Sequence, residues 1–289
     1  MNTILKKVYG RSSVVLLLFC ITIIAYARDE VFSSFDFPGA KNTMPTSITP
    51  DGKIAGLYVG PDGSQHGFLL SEGKSQTIDV PDGTHTAVRW INARGQMVGE
   101  YIGSDGKSHG FLLTGGQFTT INYPGAESTV LFGIGATGDI VGTRVDTPGG
   151  KIRGFLLRKG TFSSIDFPGA MWTLPTMIMM GRIVGGYFDN NFTAHGFLLS
   201  EGQFQQIDCP GSTFTFLSGL DVHGQLFGGY GSPDGSQHGV LVRNGNCITI
   251  DFPGGSMSYA NAATPEEDIV GRYTSSDGKV HGFLRTVEE

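Results

Sequence analysis

His66-Gly67-Phe68-Leu69, His109-Gly110-Phe111-Leu112, His195-Gly196-Phe197-Leu198 and His281-Gly282-Phe283-Leu284 are four copies of one tetrapeptide. Arg153-Gly154-Phe155-Leu156 and His238-Gly239-Val240-Leu241 are two altered copies. Their first residues fall 43, 44, 42, 43 and 43 positions apart. A fixed period of this length is the mark of a repeat architecture, and the rest of the unit can be read outward from the tetrapeptide.

Three further blocks keep the same beat. Asp36-Phe37-Pro38-Gly39 returns as Asp79-Val80-Pro81, Asn122-Tyr123-Pro124-Gly125, Asp166-Phe167-Pro168-Gly169, Asp208-Cys209-Pro210-Gly211 and Asp251-Phe252-Pro253-Gly254. An apolar-apolar-Gly block ends at Gly56, Gly99, Gly142, Gly185, Gly228 and Gly271. Between it and the tetrapeptide stand turn pairs such as Asp62-Gly63 and Asp105-Gly106, whose preference for positive φ makes tight hairpins. One unit therefore reads as four short antiparallel strands: A over Val130–Gly135, B over Ile140–Arg144, C over Arg153–Leu157 and D over Phe162–Asp166. Pro-Gly then ends strand D, because proline brings no amide donor and glycine accepts positive φ.

Four strands per unit of this length is the pattern of a propeller blade. The mature protein is expected to begin with a D-type strand, Phe32–Phe37, and to finish with a C-type strand, His281–Arg285, with no D strand after it. The expectation is an all-β, six-bladed β-propeller with four antiparallel strands per blade, its ring closed by the N-terminal strand joining the last blade. An open solenoid would leave exposed edges and gives no reason for these complementary ends. The expected division is a secretory signal peptide over 1–27 and one propeller over 28–289, with repeats at 31–74, 75–117, 118–161, 162–203, 204–246 and 247–289.

The leader rests on Lys6, Lys7 and Arg11, the apolar run Val14–Ala25 and the small-x-small site Ala25-Tyr26-Ala27. That run is short for a bilayer span, which takes about 20 residues, so no membrane span is expected in the mature chain. The expected location is exported: periplasmic, cell-surface or extracellular. Cleavage after Ala27 leaves 17 basic against 26 acidic residues, a formal charge of −9. Phosphate neutralisation supplies much of nucleic-acid affinity, so an acidic chain without a basic stripe argues against a nucleic-acid partner. Cys209 and Cys247 fall in different repeat columns, near opposite ends of equivalent strands. They are read as small buried apolar residues, not expected to pair unless the strands are staggered.

Residues present in every copy are read as structural. His66, His109, Arg153, His195, His238 and His281 share one column, and an arginine in it makes a metal-ligand or acid–base role implausible. Equivalent positions of a ring also lie far beyond the roughly 2 Å reach of metal ligands. Asp36, Asp79, Asn122, Asp166, Asp208 and Asp251 precede the Pro-Gly turns, where their side chains are expected to accept turn amides as Asx turns. The strand-B glycines are expected to let adjacent sheets approach closely.

Function is expected where the copies disagree. The strand-A column Ser47, Trp90, Gly133, Met177, Gly219 and Ala262, together with Arg89, supplies the candidate channel or ligand-binding residues. Arg89-Trp90 could offer a cation and an aromatic to a sugar or peptide, although Trp90 reads more simply as core filling. Glu100, Glu127, Asp221, Glu266 and Glu267 could furnish a paired-carboxylate glycosidase site, but their repeat positions do not converge. No H-E-x-x-H zinc motif occurs.

The units resemble the bacterial extracellular HAF repeats, named for a His-Ala-Phe signature followed by apolar residues. Here Gly67 or Gly110 stands at the alanine position, and the likeness runs from Val31 to Arg285. The resemblance implies export and a propeller-like array, and carries over no catalytic residue. The expected function is a noncatalytic, secreted or surface-associated propeller that binds a glycan or an extracellular protein, or serves as a scaffold. It is expected to be monomeric and without cofactor or metal. The alternative is an extracellular carbohydrate-active enzyme using acids near the channel.

Overall fold

The computed structural model describes residues 30–287, and these form 24 β-strands. The signal-peptide expectation for 1–27 lies outside the described residues. Strand β1 is Glu30–Phe35. Strands β2 to β5 follow at Asn42–Ile48, Ile54–Val59, Gln65–Ser71 and Lys74–Ile78. Strands β6 to β9 are Thr84–Ile91, Met97–Ile102, Ser108–Thr114 and Gln117–Ile121. Strands β10 to β13 are Ser128–Ile134, Ile140–Val145, Ile152–Arg158 and Thr161–Ile165. Strands β14 to β17 are Trp172–Met179, Arg182–Phe188, Ala194–Ser200 and Gln203–Ile207. Strands β18 to β21 are Phe214–Leu220, Leu226–Gly231, Gln237–Arg243 and Asn246–Thr249. The last three, β22 to β24, are Met257–Ala263, Ile269–Thr274 and Val280–Val287.

The strands make an all-β, propeller-like array. Four sheets stand alone, each a four-stranded antiparallel meander: β2–β5, β6–β9, β10–β13 and β14–β17. Six separate blades were expected, and here the structure differs. The remaining strands form one eight-stranded sheet, in which β18–β21 and β22–β24 with β1 are joined by a single parallel pairing, Gln237 with Met257. The join arises because the first residue of β20 meets the first residue of β22.

The N-terminal strand pairs antiparallel with the last one, Glu30 opposite Val287 through Phe35 opposite Gly282. Side chains reinforce that seam. Ser34 Oγ meets Tyr273 Oη at 2.8 Å, and Glu30 Oε1 accepts from Arg285 at 2.5 Å. Strand β2 packs in turn on β22 to β24, where Asn42 Oδ1 accepts the Val280 amide at 2.9 Å.

The repeated residues have repeated partners. Phe68, Phe111, Phe155, Phe197, Val240 and Phe283 are all fully buried. The tetrapeptide glycine admits the next sheet, for a Cβ on Gly67 would stand 2.8 Å from the Val88 side chain. The strand-B glycines differ from expectation. A Cβ on Gly56 or Gly228 would collide with a carbonyl oxygen of the strand A paired to it, so the close approach lies within a sheet. Those glycines sit at the bulge found in every strand A, where one residue drops out of register.

The aspartate column also departs from its expected role. An Asx turn needs the amide two residues on, and after Asp36 that residue is Pro38, which has none. The aspartates instead take the histidines: Nδ1 of His66, His195, His238 and His281 lies 2.7–2.9 Å from Asp79, Asp208, Asp251 and Asp36. His109 Nδ1 faces Asn122 at 2.9 Å, and Arg153 reaches Asp166 at 3.5 Å. The turn amides go to a hydroxyl column the sequence reading overlooked. Thr43, Thr86, Thr129, Thr173, Thr215 and Ser258 each accept the amide of the residue six positions earlier, at 3.0–3.1 Å.

Cys209 and Cys247 form a disulfide with a Cα–Cα distance of 5.8 Å, contrary to expectation. The residue after the repeated Asp or Asn packs on the strand D of the following unit. Tyr123 meets Phe162 and Phe167 meets Phe204 in this way, with ring centroids 4.9 and 5.1 Å apart. Cys209 and Cys247 occupy those same two columns, so the disulfide replaces an aromatic contact of the repeat.

Candidate binding site in the channel

The strand-A bulge decides what faces the middle of the array. It leaves Thr46, Arg89, Phe132, Thr176, Ser218 and Asn261 out of register, and all six line one cavity of about 150 Å³. Four of them tie one four-stranded unit to the next. Thr46 Oγ1 donates to Val88 O at 3.1 Å, Thr176 Oγ1 to Leu217 O at 3.1 Å and Ser218 Oγ to Ala260 O at 2.9 Å. Asn261 Nδ2 donates to Pro45 O at 2.5 Å across the seam between chain ends. Arg89 and Phe132 make no such tie and face the cavity instead.

Arg89 is held by Glu100 on β7: its Nε donates to Oε1 at 3.2 Å and its Nη2 makes a shorter contact with the same oxygen. Ser108 Oγ donates to the other carboxylate oxygen at 3.5 Å. The Arg89 guanidinium lies 5.5 Å from the centre of the Phe132 ring. Glu100 belongs to a strand-B column that also holds Leu57, Thr143, Gly186, Gly229 and Arg272. Its two glycines make room for large neighbours. A Cβ on Gly186 would strike the Phe216 ring, and one on Gly229 would strike the Tyr259 ring. Both rings line the cavity as a result.

Arg272 is the second cation of this wall. Its Nη1 donates to Asn261 Oδ1 at 3.2 Å, and its guanidinium lies 4.4 Å from the centre of the Tyr259 ring. It forms no ion pair among the described residues. Burial pushes its guanidinium below the usual arginine value; the Tyr259 phenol opposes this shift and the charge of Arg89 adds to it. Burial raises the Tyr259 phenol, whose hydroxyl donates to Phe216 O at 3.0 Å. Two guanidiniums thus share a cavity wall, and the carboxylate of Glu100 behind it is committed to Arg89.

Trp90 lies between this cavity and a second, larger one of about 330 Å³. The larger cavity opens among the turns that follow each strand A, with Pro50, Ala93, Ala136, Met180, Val222 and Pro265 contributed one per unit. Its wall is almost wholly apolar, and Met180 and Val222 stand exposed at its rim. Asp221 is the one ionisable side chain lining it among the described residues. Asp221 Oδ1 accepts the His223 and Gln225 amides at 2.9 and 2.8 Å, while Oδ2 is buried without a partner. Burial raises its carboxyl above the ordinary value, against the pull of the two amides.

The expected channel column is therefore divided. Trp90, Met177 and Ala262 line the apolar cavity, and Arg89 and Trp90 line the polar one. Ser47 is fully buried and its Oγ accepts the Ile91 amide at 3.0 Å. Gly133 and Gly219 are packed against the backbone of strand A of the following unit. Of the expected acids only Asp221 and Glu267 come near one another, joined through Gln225, and each is bound elsewhere. Glu127 pairs with Lys107 at 3.0 Å, Glu267 with Arg243 at 3.0 Å, and Asp221 caps a turn as Asn92 does in another unit. Phe132, Phe216, Tyr259, Asn261 and Arg272 were missed. A signal was present: their columns change identity from copy to copy, and Glu100 and Arg272 are the two charges in a column otherwise small or apolar.

No family model matches the chain, and no curated protein matches it. Solved structures do. The fucose-specific lectin from Aleuria aurantia is 10% identical with a TM-score of 0.55, covering 86% of this chain and 96% of that one. AofleA from Arthrobotrys oligospora is 10% identical with a TM-score of 0.56, covering 90% and 88%. A putative TolB from Agrobacterium tumefaciens is 13% identical with a TM-score of 0.57, covering 91% and 99%. At such identities the likeness is one of fold, and the chain shares the propeller-like architecture of these proteins.

Proposed function

We propose that this chain is an exported, noncatalytic propeller that binds a glycan in the cavity walled by Arg89, Phe132, Tyr259, Asn261 and Arg272. One observation carries the reading. Four of the six bulge residues bind neighbouring units together, whereas Arg89 and Phe132 face the cavity beside Arg272. Planar polar groups beside partly exposed rings are what a sugar requires: donors for its hydroxyls and flat apolar surface for its C–H face. The lectin neighbours lend support at the level of fold. The eight-stranded sheet acts in this reading as two blades, so that the ring is six-bladed and β1 completes the last blade. The leader sequence and the Cys209–Cys247 disulfide both fit an oxidising compartment.

A second reading is favoured by the apolar cavity, whose rim exposes Met180 and Val222 and would suit an apolar side chain of a protein partner. A glycan array and a peptide library, both probed with residues 28–289, separate the two. Glycan signals lost in an Arg89→Ala variant support the channel reading. Peptide signals alone, lost in Met180→Glu, favour the protein partner.

A further inference from the structure

The guanidinium of Arg272 has one polar side-chain partner, the amide oxygen of Asn261, which brings no charge. Arg89 shares the same cavity wall, and its carboxylate, Glu100, is already bound by Arg89 and Ser108. The cavity therefore carries a surplus positive charge inside a chain that is acidic as a whole. Its stacking partner Tyr259 stays a neutral phenol at ordinary pH, since burial raises its ionisation. A guanidinium in a partly dehydrated cleft is stabilised by an oxyanion it can grip with two donors.

We propose that the glycan taken by this site is acidic, and that Arg272, held by Asn261, binds its carboxylate while the rings of Tyr259 and Phe132 hold the sugar. This rests on the glycan reading above. A cavity of about 150 Å³ holds one sugar residue, so a single uronic acid unit is the recognised element. The surrounding hydroxyls of Thr46, Thr176 and Ser218 already donate to backbone carbonyls, which leaves the arginines as the donors free to face a ligand. Glu100 sets the approach. Its charge sits beside Arg89, so the ligand carboxylate is drawn to Arg272 and the neutral ring to the Arg89 side.

The chain has two tryptophans, Trp90 and Trp172, so Trp172→Phe leaves Trp90 as the reporter at the cavity floor. On residues 28–289 carrying that change, Trp90 emission is titrated with methyl uronosides of the gluco, galacto and manno series, each paired with its neutral hexoside. Acetate and a short Asp/Glu peptide complete the set. The expected result is at least about tenfold tighter binding of one uronoside than of its neutral partner, a preference that Arg272→Gln removes and Arg272→Lys partly keeps. Equal binding of uronoside and hexoside overturns the carboxylate inference and leaves the glycan reading standing. Acetate or peptide binding as tightly as every uronoside overturns the glycan reading and this inference with it. No response to any probe, at millimolar concentrations, overturns both. If Arg272→Gln fails to fold, the uronoside-to-hexoside ratio on the otherwise unaltered chain decides the matter alone.

Discussion

The outer strands and the channel wall are built from the same repeat, yet they treat variation in opposite ways. On the outer strands a substitution in one unit is answered by another nearby. The unit over β10–β13 has arginine at Arg153 where the others have histidine, and Arg144 where they have tyrosine. Tyr123 then replaces the usual phenylalanine, and Arg144 lies 4.0 Å over its ring, in place of the ring stack formed by Phe167 and Tyr187 at 3.7 Å. Asp146 binds Arg144 at 2.9 Å and approaches Arg153 at 3.8 Å. The geometry is restored with different chemistry. On the channel wall Arg272 also lies over a ring, that of Tyr259, but among the described residues no carboxylate answers it as Asp146 answers Arg144, and with Phe132 it lines an open cavity. Compensated variation preserves a scaffold; uncompensated variation marks what the scaffold presents.

This contrast can be broken in several ways, the largest at the seam. Removing residues 30–37 strips β24 of its only partner on that side along with the Glu30–Arg285 and Asp36–His281 pairs. Thermal melting should fall by at least about 10 °C; an unchanged transition would mean that β1 is dispensable. Reduction, or Cys247→Ser, opens a link across 38 residues and should cost about 3–4 kcal/mol by urea unfolding if the chain-entropy account holds. A cost near zero would show that the aromatic contact it replaces was as good.

Next in size is the histidine column. His66→Ala loses the 2.8 Å bond to Asp79 and the packing on Tyr58, a loss of about 1–2 kcal/mol. His66→Arg should recover most of it, as Arg153 serves in its own unit. If arginine were no better than alanine, compensation would not be local. The smallest effect concerns Asp221. Its folded carboxyl is raised by burial, so its contribution to stability is fully present below the ordinary aspartate value and is lost as pH rises through the folded one. Asp221→Asn should therefore raise the melting temperature by roughly 1–3 °C at pH 7 and lose that gain near pH 3, where the aspartate is already neutral. A gain that persists at pH 3 would assign the effect to hydrogen bonding instead.

The fold was readable because its causes are periodic. The four-strand unit, its Pro-Gly ends and the pairing of first strand with last all follow from spacing, and β10–β13 lie within two residues of the sequence expectation. What spacing conceals is the relation between consecutive units. The Cys209–Cys247 bond, the hydroxyl column from Thr43 to Ser258 and the single pairing that joins two sheets all depend on how one unit meets its neighbour. The site was half legible for a related reason. Trp90 and Arg89 were found because they are unusual for their columns, but the bulge moves the channel-facing position one residue earlier, from Ser47 to Thr46 and from Ala262 to Asn261. No strand periodicity announces a bulge; the strand-B glycine opposite it does, once its crowding against the paired strand is seen.

The central claim is that ligand binding and structural integrity belong to different residues. The direct measurement pairs affinity with melting temperature for Arg272→Gln and His109→Ala on residues 28–289, using the tightest ligand from the glycan array. The account predicts that Arg272→Gln weakens binding by at least about tenfold with little change in melting, while His109→Ala melts lower and binds with unchanged affinity. Full affinity in Arg272→Gln, or lost affinity in a His109→Ala protein that melts normally, would contradict it.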